Sequence, residues 1–251
     1  MGTSASSRGT NGAQPLVPSW ADDQPNVKLP TPEPQRFRAF RTTFGKAVAN
    51  GGDKSDIKKA LGHYARTATG GNSVGPRRFG NFYTAGGSLY SALQGLADSG
   101  SLPGFSSNNF VGKPLDQLSQ ALGELLSGDT PDADRINVAV QEAVATVLDV
   151  EKDFDPAELT GDTINAILSE FLALSVFQSI VEEVGGAWDR SDNVKKTADC
   201  ERNLLDLIRA IVDTTLHNKF KAGTYPYSKD SIKKFMRETV SSVWTEWESY
   251  Q

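Results

Sequence analysis

The chain has one cysteine, Cys200, and two histidines, His63 and His217, in 251 residues. A single thiol excludes an internal disulfide framework and any zinc site built on several cysteines. Two histidines leave a metal centre of the usual His/Cys type short of ligands, so neither a metal nor a cofactor is expected in the chain itself. Long apolar runs are missing as well. The longest, "FLALSVF" at 171–177, is far short of the ~20 residues that span a bilayer. The stretch from Met1 to Gly12 has one positive charge and no apolar segment of a secretory leader. These absences predict a cytoplasmic protein. An excess of basic charge is also absent: the net charge of -5 and pI near 5.2 give no general attraction to nucleic acid or anionic membrane, so such binding would need a local patch.

What is present is a proline-rich beginning followed by helical patterning. Residues 1–34 hold prolines 15, 18, 25, 30, 32 and 34, a density that excludes helix and sheet and predicts a flexible, extended N-terminal arm. From 35 to 251 the pattern is that of a helical domain, with a subdivision near 98–113. In "EPQRFRAFRTTFGKAVAN", Phe37, Phe40, Phe44 and Val48 recur at helical spacing after Pro34. In "DKSDIKKALGHYARTA", Asp53 is a candidate N-cap and Ile57, Leu61, Tyr64 and Ala68 form one stripe. A helix is expected from Arg78 onward, with a break or a close backbone contact at Gly86–Gly87. Further amphipathic segments are expected at 114–127, 131–152, 156–185, 195–221 and 229–249. With 38 % hydrophobic residues to fill a core, the fold class is all-α: a multi-helix domain preceded by a Pro-rich arm.

Charge is unevenly placed. Residues 35–80 carry ten basic side chains against two acidic ones, and residues 98–192 carry eighteen acidic against four basic. One reading is that the two segments attract each other within the fold. The other is a basic face for nucleic acid or a nucleotide, with Arg36, Arg38, Arg41, Arg77 and Arg78 as contact candidates and Phe79, Phe82 and Tyr83 as stacking platforms. Phe79 and Phe82 also fall on the apolar stripe, which favours the core. A catalytic constellation does not assemble. His63, His217 and Cys200 have ordinary structural readings, and the carboxylates of 149–162 fit neither a calcium loop nor an assignable glycosidase pair. The chain is expected not to be an enzyme.

Several segments carry a resemblance. "MGTSASS" at 1–7, "PLVPSWADDQP" at 15–25, "PEPQRFRAFRTTFGKAV" at 32–48, "ALGHYARTATGG" at 60–71 and "GPRRFGNFYTAGG" at 75–87 make the chain similar to the QatB component of bacterial Qat anti-phage defence systems. The resemblance implies a non-enzymatic component of a defence complex whose operon also encodes an ATPase, a QueC-like enzyme and a TatD-like nuclease. It further implies that the QueC-like partner, which would hold the ATP and zinc, attaches a 7-deazaguanine to Gly2 once Met1 is removed. An α-amino group, with a reference pKa of about 7.7–8.0 against ~10.4 for lysine, is partly neutral and nucleophilic near neutrality. Thr3, Ser4, Leu16, Val17, Pro18 and Trp20 would then dock the partner. "GTSAS" also satisfies the loose N-myristoylation pattern. The alternative remains a nucleic-acid sensor or adaptor that uses the basic segment 35–80.

Overall fold

Asp53 accepts backbone N–H bonds from Ser55 and Asp56 and so opens the second helix where the sequence expects it. This is a computed structural model, and it describes residues 14–102, 110–149, 151–223 and 226–251. Among the described residues eight α-helices follow one another: α1 (Arg38–Ala49), α2 (Lys54–His63), α3 (Gly80–Ser99), α4 (Leu115–Ser127), α5 (Ala133–Val147), α6 (Gly161–Val184), α7 (Val194–Ala222) and α8 (Lys229–Glu248). Among the described residues there is no strand; an isolated antiparallel bridge joins Pro114 and Asp153. The chain forms two compact units: Met1–Gly80 with Val176–Ile211 and Thr239–Gln251, and Asn81–Ser175 with Val212–Glu238.

The first unit is built on aromatic packing. Phe40 and Phe44 on α1 and Tyr64 after α2 are fully buried. Phe40 meets Tyr64 at 4.9 Å between ring centroids, and Phe44 meets Trp188 edge-on at the same distance. Trp244 and Trp247, one turn apart on α8, close the cluster. After α2 the helix widens into a π turn over Tyr64–Ala68. The Thr69 N–H bonds back to the Tyr64 carbonyl, and the Thr69 hydroxyl accepts from Trp244 Nε1 at 2.8 Å. Gly70 and Gly71 then turn the chain at φ values of 83° and 87° that favour glycine.

The second unit packs α3, α4, α5 and parts of α6, α7 and α8 around Phe82, Leu89, Val140, Phe171 and Leu216. The Gly86–Gly87 pair does not break α3. A Cβ at Gly86 would run into Met236 Sδ, and one at Gly87 would lie 2.8 Å from the Lys229 carbonyl, so the pair makes room for α8. The expected segments 131–152 and 156–185 are shorter as helices, since Leu148 turns extended and a single 3-10 turn at Pro156–Glu158 precedes α6. α6 with its 3-10 extension, Gly161–Arg190, is long and apolar enough to cross a membrane by length and composition. Yet 72 % of its most apolar window is buried inside the protein, as in a helix surrounded by its own core.

Residues 14–34 adopt turns and extended backbone without helix or strand, in line with their prolines. They are not a free arm, however. Leu16 and Val17 are buried against Val74, with Leu29 packed on the same cluster.

Candidate docking site

A proline-rich segment presents carbonyls that no ladder satisfies, and burying them requires outside donors. Three arginines supply those donors. Arg36 gives Nη1 to the Gln14 carbonyl at 2.9 Å and Nη2 to the Pro15 carbonyl at 3.1 Å. Arg78 gives Nη2 to the Leu16 carbonyl at 2.6 Å. Arg77 forms a two-pronged pair with Asp22, Nε to Oδ1 at 2.9 Å and Nη2 to Oδ2 at 2.7 Å, and also reaches the carbonyls of Gln24 and Val27. The guanidinium fork suits this work because it carries five donors in a fixed plane.

The main chain adds its own ties. Asp23 N–H bonds the Arg77 carbonyl, and Gly80 N–H bonds the Ala21 carbonyl. At Gly80 a Cβ would sit 2.7 Å from that carbonyl, so glycine is what permits the strap to lie this close. On its outer side the strap presents Trp20, 47 % exposed, and Val27.

Behind the strap lies a buried polar cluster. Arg78 Nη1 pairs with Glu183 Oε1 at 2.7 Å and touches the Tyr64 hydroxyl at 3.3 Å. Burial works against the Arg78 charge, but the Glu183 carboxylate and Tyr64 outweigh it and raise its pKa. Burial, reinforced by Glu183, pushes the Tyr64 phenol well above its ordinary value. Arg36 moves the other way, lowered by burial and by the neighbouring Arg78. Burial also opposes the Asp22 charge, yet the hydrogen bonds from Arg77 and the Gln24 N–H hold its carboxyl below the usual range. Arg41 Nε caps the Glu183 carbonyl at 2.9 Å, and Arg36 and Arg41 both lie about 5 Å from the centre of the Phe37 ring.

The sequence candidates are therefore redistributed. Arg36, Arg77 and Arg78 are 2, 4 and 9 % exposed and committed to the strap and to Glu183, so they do not form the expected phosphate-facing surface. Their charge is spent on buried carbonyls and carboxylates. Arg38 is exposed and Arg41 partly so. Phe79, Phe82 and Tyr83 lie in the core. Leu16 and Val17 are the strap's buried side chains, packed against Val74, Pro18 is half-buried, and Trp20 is the outward residue. Gly2, Thr3 and Ser4 lie outside the described residues.

His63 is half-buried, and burial together with Arg66 and Lys59 lowers its pKa. His217 is exposed on α7. Cys200 is buried, its thiol pushed up to about 12 by burial and by Glu201, which makes it a poor nucleophile. Among the described residues no three His, Cys, Asp or Glu side chains are placed to hold a metal ion.

Sequence patterning places Tyr64 on an apolar stripe and assigns no role to Glu183 or Asp22. The only hint was "PRRF", where two arginines stand inside an apolar stripe, since buried arginines demand partners.

A family model described as Qat anti-phage system associated protein QatB matches residues 70–246. No curated protein and no solved structure matches the chain. The match holds Arg77, Arg78 and Glu183 and leaves out the strap and most of the opening motifs that carry the resemblance. Covering well over half of the chain, it shows that this protein belongs to the QatB family of anti-phage system components.

Proposed function

We propose that this anti-phage component is a substrate and adaptor, not an enzyme: its N-terminal amine receives a 7-deazaguanine from a QueC-like partner of the same operon, and the strap docks that partner. The observation that carries this reading is the arginine clamp. A strap tied down at Gln14, Pro15 and Leu16 gives the preceding residues a fixed point of departure. From Gln14 back to Gly2 the chain can reach at most about 40 Å at ~3.3 Å per residue. That suffices to enter a partner's active site while Trp20 and Val27 rest on its surface. Pre-ordering of the strap lowers the entropy lost on docking.

In the proposed step the neutral Gly2 amine attacks the carbonyl carbon of the ATP-activated deazaguanine carboxylate. The new C–N bond forms as the activating group leaves with the electron pair of its C–O bond, and the amine's surplus proton passes to a base or to water. ATP and zinc belong to the partner, and the operon ATPase and TatD-like nuclease are further candidates for contact.

The test is the intact mass of the protein made together with its neighbouring genes, beside the protein made alone, with fragmentation of the N-terminal peptide. Loss of Met1 and an amide-linked deazaguanine on Gly2 are expected only in the first sample. Gly2→Pro removes the adduct and leaves the fold intact. An unmodified Gly2 in both samples, or an adduct that persists in the variant, refutes the reading.

A further inference from the structure

The strap is held on the first unit by less than its length suggests. Of residues 14–34 only Leu16, Val17 and Ala21 are buried, and its apolar anchorage is the small cluster of Leu16 and Val17 with Val74 and Leu29. The other ties are polar. Each hydrogen bond exchanges a bond to water for one to protein, so its net gain is small. The Asp22–Arg77 ion pair is buried as well, and such a pair recovers little beyond the cost of drying its charges.

The closed strap also carries costs that opening relieves. Arg36 is 2 % exposed, yet among the described residues it meets neutral carbonyls and the Phe37 ring and pairs with no carboxylate. Nε of Arg36 and Nε of Arg78 are buried without a hydrogen-bond partner among those residues, which is unfavourable for any polar group. Both guanidinium groups lie under strap carbonyls, so water reaches them once the strap lifts.

A third cost sits where the strap joins α1. Among the described residues Gln35 is the one residue other than glycine with a positive φ, 55°, a left-handed backbone that side chains disfavour. Its carbonyl accepts the Arg38 N–H at 2.8 Å, and its side chain is exposed. Rotation at this residue swings 14–34 away while Phe37 and Phe40 keep α1 in the core. Opening frees Gln35 to leave the left-handed region.

We propose that residues 14–34 form a latch hinged at Gln35, which opens as a unit from a folded body and uncovers Arg36, Arg77 and Arg78. Opening moves the anchor of the preceding residues from Gln14 to Gln35 and adds at most about 70 Å of chain at ~3.3 Å per residue. The inference concerns the unpartnered chain and stands whether or not Gly2 is modified. A partner resting on Trp20 and Val27 selects the closed state and holds it shut.

The test is labelling of arginines in the full chain with phenylglyoxal, in native buffer and in urea below the unfolding transition, read by peptide mass. Exposed Arg38 supplies the intrinsic rate, and buried Cys200, under a thiol reagent, reports opening of the body. Arg36 and Arg78 should label more slowly than Arg38, through an opening equilibrium at least about tenfold more favourable than that of Cys200. Their urea dependence should be the weaker one, because lifting the strap exposes little surface. Gln35→Val, whose branched side chain resists positive φ, should speed labelling of both arginines by about tenfold with unchanged circular dichroism. Gln35→Asn, which tolerates that conformation, should not. Both variants disrupt the exposed contact of Gln35 Oε1 with Arg38, so the backbone preference alone separates them. Labelling that shares the opening equilibrium and urea dependence of Cys200, labelling as fast as that of Arg38, or equal labelling of the two Gln35 variants overturns the proposal.

Discussion

Arg78 and Glu183, distant in sequence, meet in the interior at 2.7 Å, each 9 % exposed, while the other arm of Arg78 holds the Leu16 carbonyl. One side chain thus ties a basic segment, an acidic helix and the N-terminal strap together. Removing one partner of such a pair leaves a buried charge uncompensated, at a cost of about 3–5 kcal/mol. Arg78→Ala is expected to lower the unfolding free energy obtained from urea titration by that order and to make 14–34 sensitive to limited proteolysis. A loss below 1 kcal/mol would show that the pair is solvated in solution.

Asp22 gives the strap a dependence on acid. Its folded pKa lies below the reference of 3.8, with burial opposing the Arg77 and Gln24 hydrogen bonds that hold it down. A depressed carboxyl contributes stability that is fully present above the unfolded pKa and is lost as pH falls through the folded value. Proteolytic protection of 14–34 should therefore hold at pH 5–7 and fall away only as the pH drops below the reference of 3.8. Asp22→Asn should remove this component of the pH dependence and weaken protection at neutral pH.

Three glycines predict an order of stabilities. A Cβ on Gly75 would overlap the Trp244 indole nitrogen, which is itself held by Thr69. Gly75→Ala should therefore cost about 1–3 kcal/mol or more. A Cβ on Gly86 meets the flexible end of Met236, so Gly86→Ala should cost less. Among the described residues nothing lies within 4 Å of a Cβ on Gly95, and Gly95→Ala should gain up to about 1 kcal/mol from helix propensity. Thermal melts of the three variants check the ranking.

Trp20 separates docking from folding. It stands outward on the strap, so Trp20→Ala should change stability by no more than about 0.5 kcal/mol. If the strap is the docking element, the same change should weaken binding of the QueC-like partner by about 2 kcal/mol or more. Partner affinity unchanged in this variant would remove the strap from the interface.

Cys200 should be silent toward thiol reagents. Its thiol is buried and pushed up to about 12, so labelling by a disulfide reagent at pH 8 should follow global unfolding and stop in native buffer. Rapid stoichiometric labelling of the native protein would contradict this burial.

The sequence by itself determined the helical class, the Asp53 cap and the inward stripe of Phe40, Phe44, Ile57 and Leu61, because local periodicity and capping chemistry are written within a few residues of one another. It also determined that 14–34 forms neither helix nor strand, since proline removes the donors that both require. What it did not determine is where that segment goes. Arg36, Arg77 and Arg78 read as a basic face in one dimension, and only the tertiary structure decided that they point inward. Their partners are Glu183 on another helix, Asp22 on the strap, and carbonyls that any sequence possesses. A charge is a surface feature until long-range packing brings a buried acceptor to it, and that acceptor leaves no local signature.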